Sequence, residues 1–233
     1  MLILGIESAT EQVGCAIGGH EGVIAAVEVT RGRRHAETLT PAIEFCCQRA
    51  DIALTEISVV AVDIGPGLFT GMRVGIATAK ALAHGLRVPM IGIPSLDLLA
   101  FPLRHANRVI ATVIDARRGE LFYAFYRQVP GGVQRLSLPV IGSPDDVVAD
   151  IYALGDEVLC VGDGALRYRD ALREVRGLEF ADGWQARPSA RPLVQLAHAK
   201  ALREDWVNPW DLEPLYLRKP DAEINWATRA GHR

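Results

Sequence analysis

The stretch Leu2-Ile3-Leu4-Gly5-Ile6-Glu7-Ser8-Ala9-Thr10-Glu11-Gln12-Val13-Gly14-Cys15-Ala16-Ile17 holds two short apolar runs on either side of a polar bend. Residues 2–6 and 13–17 read as strands, and residues 8–12 as the turn between them. Gly18-Gly19-His20-Glu21-Gly22 then makes a tight connection into a third run, 23–29. The same order returns further along the chain. Residues 109–114 form an apolar run, Asp115-Ala116-Arg117-Arg118-Gly119-Glu120 a polar turn, and 121–127 an alternating strand. Gly131-Gly132 leads to the next, 133–141. A strand, acidic turn, strand, glycine turn, strand unit therefore occurs twice, at 2–29 and 109–141, which is the mark of a duplicated lobe.

Between the copies the period changes. Leu39, Ile43, Cys46 and Ala50 recur at spacings of four, three and four, so 36–50 is expected to be a helix, with Pro41 early in it. Residues 57–64 are dense in β-branched side chains and read as a buried strand, broken by Gly65-Pro66-Gly67. Thr70 is the expected N-cap of a second helix reaching residue 84. A strand at 88–93 and a short helix from Ser95 close the first unit. In the second unit, helices are expected at 144–153, 165–175 and 193–204, a strand at 158–161 and a loop over 179–191. An Arg-rich connection runs through 30–34. The expected division is a first lobe, 1–104, a second and reduced lobe, 105–221, and a polar tail, 222–233. Alternating strands and helices make the class α/β.

With 49% hydrophobic and 23% charged residues the composition is that of a globular protein. A formal net charge of -3 argues against tight independent binding to nucleic acid, though it leaves room for a small basic patch. The cysteines, Cys15, Cys46, Cys47 and Cys160, include no C-x-x-C pair, which fits a reduced, cytoplasmic setting. The first residues lack the basic n-region of a signal peptide, and no run approaches the roughly 20 apolar residues of a membrane span.

Gly65-Pro66-Gly67-Leu68-Phe69-Thr70-Gly71-Met72-Arg73-Val74-Gly75, between a buried strand and a helix, has two readings. Glycines and a helix N-terminus suit a phosphate, with Gly65, Gly67, Thr70 and Gly71 facing it and Glu7 and Thr10 opposite. They equally suit a sharp turn and close helix–sheet packing. The spacing matches neither the dinucleotide fingerprint nor a P-loop. Glu7 and Asp115, at equivalent hairpin starts, either hold a metal–phosphate complex between lobes or are solvated turn residues; the longer Glu7 side chain displaces its carboxylate from where an Asp would hold it, and the flanking Arg117 and Arg118 favour a local ion pair for Asp115. His35 is either a partner contact or a polar residue at a helix entrance. No two histidines lie three or four apart, so no helical metal pair exists, and no nucleophile has a sequence-local base. The helix over 70–84 is apolar or small nearly all round; it is either sandwiched in a core or covered by a partner.

The stretches Leu4-Gly5-Ile6-Glu7-Ser8-Ala9-Thr10, His35-Ala36-Glu37-Thr38-Leu39-Thr40-Pro41, Gly65 to Gly75, Asp115 to Glu120, Gly162-Asp163-Gly164 and Tyr216-Leu217-Arg218-Lys219-Pro220 together resemble the TsaB family. One departure is Leu68, where that family usually carries Ser; Leu68 and Ala79-Lys80-Ala81-Leu82-Ala83 resemble TsaD, the catalytic paralogue. The metal-binding His pair of TsaD would fall on Ser95 and Leu99, neither of which serves a transition metal. The resemblance implies an actin-like (ASKHA, ribonuclease-H-like) fold of two related lobes and a non-catalytic scaffold with no metal. It implies assembly with a TsaD-like subunit and a small TsaE-like ATPase for threonylcarbamoyl transfer to adenosine in tRNA, with tRNA met only through the complex. Without TsaD, two copies pair. An adenine nucleotide, ADP or ATP, is allowed at the partner interface, with no cofactor of the chain's own. The implied docking surface is the first two helices, with His35, Leu39, Ile43, Cys47, Met72, Arg73, Ile76 and Ala79 as its expected residues. The competing reading is a metal- or nucleotide-dependent transferase or kinase acting alone.

Overall fold

A computed structural model describes residues 1–30 and 34–218. The arginine-rich connection at 31–33 and the polar tail lie outside them. Strands β1 (Leu2–Glu7), β2 (Gln12–Gly19) and β3 (Gly22–Thr30) form a meander, followed by helix α1 (His35–Ala50), β4 (Ile57–Asp63), α2 (Phe69–Leu86) and β5 (Met90–Ile93). They build a five-stranded sheet in the order β3-β2-β1-β4-β5, with β1, β4 and β5 parallel. A short helix α3 (Ser95–Ala100) leads into the second copy: β6 (Val109–Arg117), β7 (Glu120–Val129), β8 (Gly132–Arg135), β9 (Val140–Gly142), α4 (Pro144–Leu154), β10 (Val158–Val161), α5 (Asp163–Arg167), α6 (Arg169–Leu172) and β11 (Leu178–Phe180). Its sheet runs β8-β7-β6-β10-β11, the same path as the first, with β9 pairing on β7. The repeat in the sequence is a repeat in topology, and the architecture is the expected two-lobed, actin-like α/β fold.

Four hydrophobic clusters divide the interior. Leu4, Ile6, Leu39, Ile43, Ile76 and Ala79 lie together where α1 and α2 cover one face of the first sheet. Its other face meets helix α7 (Ala190–Ala201), whose Leu193, Val194 and Ala197 join Ile3, Val59 and Ile91. Helix α3 sits between the sheets: Leu98 packs with the first-sheet cluster, Leu96 and Leu99 with Ile110, Ile114 and Phe122 of the second.

Several expectations are corrected. A division at residue 104 would give α7 to the second lobe, but α7 packs on the first sheet. The chain after it also returns there: Val207 bridges to Met90, the Leu215 N–H donates to the Ile64 carbonyl, and Leu212 is buried beside α2. The 179–191 loop begins with the end of β11, and the single expected strand at 133–141 is two strands. The helix expected at 165–175 breaks at Tyr168 into α5 and α6. Thr70 is not the N-cap of α2; Leu68 is, without a side-chain cap, and Thr70 stands exposed in the first turn. Pro41 is the seventh residue of α1, where its missing N–H costs one ladder bond but does not end the helix.

Candidate functional site, the helix pair and the lobe junction

The glycine stretch explains how α2 reaches the sheet. Gly67, Gly71 and Gly75 recur every four residues and lie against the β1–β2 turn. A Cβ on Gly67 would sit 2.1 Å from the Ala9 carbonyl oxygen, one on Gly71 2.2 Å from that of Ser8, and one on Gly75 2.2 Å from the Ser8 hydroxyl. Only glycine permits that approach. The Leu68 N–H donates to the Ala9 carbonyl at 2.6 Å and the Ser8 hydroxyl to the Gly71 carbonyl at 2.9 Å. Gly65 turns with φ +97°, a left-handed value, with the Met72 sulfur where a side chain would go. These contacts belong to the packing reading of the glycine turn. A cavity of 410 Å³ lies beside it, bounded by Gly67, Thr70, Asp115, Arg117, Tyr216 and Arg218.

Six of the residues expected on the docking surface point inward. Leu39, Ile43, Met72, Ile76 and Ala79 are buried in the first lobe. His35 is buried as well, and its Nε2–H donates to the Thr10 carbonyl at 2.8 Å, tying the start of α1 to the β1–β2 turn. The physical reason is common to them: an apolar stripe on a surface helix meets its own sheet first. Of the eight, Cys47 is half-buried and Arg73 exposed. Arg73 stacks over the Phe69 ring at 3.8 Å, and its Nε–H donates to the Tyr216 hydroxyl at 3.2 Å. The solvent side of the pair instead carries Phe45 on α1 and Arg73, Ala77, Ala81 and His84 on α2.

Where the hairpins converge, acids are gathered. Glu7 is fully buried; its Oε1 accepts the Ala9 N–H at 2.8 Å while Oε2 has no partner. Burial first, then the neighbouring Asp63 carboxylate, push Glu7 well above the usual carboxylate range. Asp63 ends β4, and its Oδ1 accepts from the Ser95 hydroxyl at 2.6 Å and the Gly65 N–H at 2.8 Å, leaving Oδ2 unpartnered. Burial pushes it up to about 7, against the lowering effect of those two donors. Ser95 and Leu99, where the resemblance would put a metal-binding His pair, are taken up by this hydrogen bond and by core packing. Asp115 forms the local ion pair expected from its flanking arginines, with Arg117 at 3.2 Å, and a second one with Arg167 at 2.8 Å. Arg117 also binds Glu11 of the first lobe at 2.6 Å, which holds Glu11 below its ordinary value. The turn that aims this arginine is unusual: Arg117, Arg118 and Gly119 all have positive φ, and a left-handed conformation costs an L-residue about 1–2 kcal/mol. Asp163, on α5, accepts the Asp115 N–H at 3.0 Å, and burial raises it. Asp63 escaped notice in the sequence, and Asp163 entered only within a stretch of the resemblance; the usable signal was that Asp63 closes a parallel strand and Asp163 stands two residues past the end of another, where α/β folds collect functional groups.

Over residues 24–226 the sequence matches the family described as TsaD, tRNA N6-adenosine threonylcarbamoyltransferase. It is 32% identical to the Escherichia coli tRNA threonylcarbamoyladenosine biosynthesis protein TsaB over 222 residues, 94% of this chain and 95% of that protein. An uncharacterized Mycobacterium leprae protein is 36% identical over 95% of this chain, which spans 56% of that longer relative. Among solved structures, YeaZ from Pseudomonas aeruginosa superposes with a TM-score of 0.76 at 23% identity, covering 93% of this chain and 99% of the other; that likeness speaks for the fold. With a 32% match running through nearly the whole of both sequences, this chain belongs to the TsaB family.

Proposed function

We propose that the chain is a subunit without chemistry of its own, which docks a TsaD-like catalytic relative and so supports threonylcarbamoyl transfer to adenosine in tRNA. One observation supports the docking part most directly. The solvent face of α2 carries Ala77, Ala81 and Gly85, with half-buried Val74 and Leu82 beside them, and Phe45 of neighbouring α1 stands 48% exposed. Small residues let a partner helix approach closely, and a stable contact of this kind buries roughly 800 Å² on each side. The non-catalytic part draws on the junction. Asp115 is neutralised by two arginines, Ser95 is spent on Asp63, and His35 on a backbone carbonyl. In this reading a TsaE-like ATPase and tRNA join through the complex, two copies pair when the catalytic relative is absent, and any adenine nucleotide binds at the interface between subunits.

The test is reconstitution. The isolated chain is expected to form no threonylcarbamoyladenosine from threonylcarbamoyl-adenylate and tRNA, and addition of the TsaD-like and TsaE-like subunits to restore turnover. Ala77→Glu should abolish co-purification with the TsaD-like subunit while leaving the melting curve unchanged. Ile76→Glu, one position away but buried, should instead unfold the chain, at a cost above about 3 kcal/mol. Turnover by the isolated chain would overturn the accessory role, and a complex that survives Ala77→Glu would overturn the docking face.

A further inference from the structure

On the far side of the molecule, away from α1 and α2, a second cavity of 520 Å³ opens between the end of α3, the start of α7 and the segment that joins β11 to α7. Its charge is opposite to that of the chain. Arg104, Arg187 and Arg191 line it against one carboxylate, Glu28, in a protein of net charge -3. Glu28 is already engaged: it accepts from the Ser189 hydroxyl and lies 3.9 Å from Arg191. Of the three cations, only Arg191 has this carboxylate within ion-pair distance. Among the described residues Arg104 donates to the Phe101 carbonyl and lies over the Phe101 ring at 4.4 Å, with no carboxylate as partner. Arg187 has a buried Nε with no acceptor, although its charge reaches Glu11 and Asp163 at the lobe junction. A buried guanidinium N–H without a partner forfeits a hydrogen bond that a charged donor makes strongly. Arg191 sits in the first turn of α7, which contains no acid; a cation there opposes the helix dipole and adds to the same positive field.

The cavity also offers a flat apolar surface. Trp184 lines it and is 79% exposed, in a turn of three residues held by its own backbone bonds. An indole left in water at the edge of a cavity that three arginines also line loses by its exposure unless a planar partner covers it. Gln185 and Gln195 add amide groups able to both donate and accept. The volume suits a small ligand of nucleotide size.

We infer that this cavity binds a nucleotide unit, its phosphate on Arg104, Arg187 and Arg191 and its base against Trp184. A free mononucleotide and a nucleotide within an RNA strand present the same chemistry, and the two sources are separable by experiment. The full-length chain is titrated with AMP, with a short single-stranded RNA and with inorganic phosphate, following tryptophan fluorescence and, independently, calorimetry. AMP or RNA is expected to quench the fluorescence, and Trp184→Phe to remove most of the quenching. Arg104→Gln and Arg191→Gln, both at least partly exposed, should each weaken binding about tenfold or more with the melting temperature unchanged. RNA binding far more tightly than AMP, with a steep salt dependence, identifies a strand; equal affinity per nucleotide identifies the free molecule. Absence of binding by both at millimolar concentration, or binding untouched by the double arginine substitution in a folded protein, overturns the site. Inorganic phosphate binding as tightly as AMP overturns the role given to Trp184.

Discussion

Asp63 and Glu7 place two carboxylates out of water within electrostatic reach of each other, each with one oxygen lacking a donor. Such a pair is tolerable only if protons are held that solvent would remove. An unfolded aspartate loses its proton near pH 4, whereas Asp63 in the folded chain keeps it to about 7. The folded state therefore binds more protons than the unfolded state between those values, and stability falls as pH rises through that window. Glu7 is displaced in the same direction and adds to the fall. Glu11 and Asp146 are displaced downward and act with the opposite sign, at more acidic pH. Asp63→Asn keeps an Oδ1 to accept from Ser95 and Gly65, and puts an N–H where the unpartnered oxygen stood. It should raise the unfolding free energy at pH 8 by about 1–3 kcal/mol and flatten its dependence between pH 4 and 8, as read from urea denaturation across that range. A variant less stable than the parent at pH 8 would mean that Asp63 is ionised and stabilised by a partner.

At the scale of elements, α2 shows how one helix is specified on each of its sides. Its apolar stripe, Met72, Ile76, Ala79 and Ala83, has the four-three-four spacing of a buried face, and that face goes into the core. That much was legible, and a stripe of this kind belongs by default to its own sheet; Met72, Ile76 and Ala79 go to the face of the first sheet opposite α7, where α2 is the cover for β4, and not to a partner. The glycine edge was ambiguous because the sequence does not reveal what a glycine faces, and here it is the Ser8–Ala9 backbone. Two glycines at opposite ends of α2, one just before it and one in its last turn, test this. Gly67→Ala, in the turn that leads in, should cost about 2 kcal/mol or more, since its Cβ meets a carbonyl oxygen held in a turn. Gly85→Ala, in the last turn with open space around it, should stabilise by about 0.5–1 kcal/mol. Equal effects in thermal unfolding would remove the close-approach account. Other elements were hidden for different reasons. β11 is three residues, too short to show a period, and exists because its N–H and carbonyl groups find β10. The return of α7 to the first sheet depends on a distant pairing with Ile3 and Val59 that no local pattern contains.

For the whole molecule, the question is what fixes one lobe against the other. In the duplicated plan the lobes meet where the paired hairpins point at each other, and here that rim is closed by Arg117 on Glu11, with side chains 41% and 46% exposed. An ion pair so open to water contributes about 0–1 kcal/mol and is weakened by salt. Deeper, α3 is held on both sides: Leu98 packs on the first lobe, Leu96 and Leu99 on the second, and Asp97 accepts from the Tyr126 hydroxyl at 2.7 Å and from Arg135 at 2.5 Å. Tyr126 is buried, and Arg135 already has an Nε without a partner, so neither finds a substitute acceptor if Asp97 is lost. The lobes should therefore be joined chiefly through α3, with the rim contact a minor addition. Glu11→Gln is expected to lower the unfolding free energy by less than about 1 kcal/mol, and Asp97→Ala by about 2–3 kcal/mol. Amide hydrogen exchange should speed up along α3 and the facing stretch of β7 in Asp97→Ala and stay at parental rates in Glu11→Gln. The reverse order, with the rim substitution loosening β7 and the α3 substitution silent, would mean that the arginine turn joins the lobes and that α3 is a passive connector.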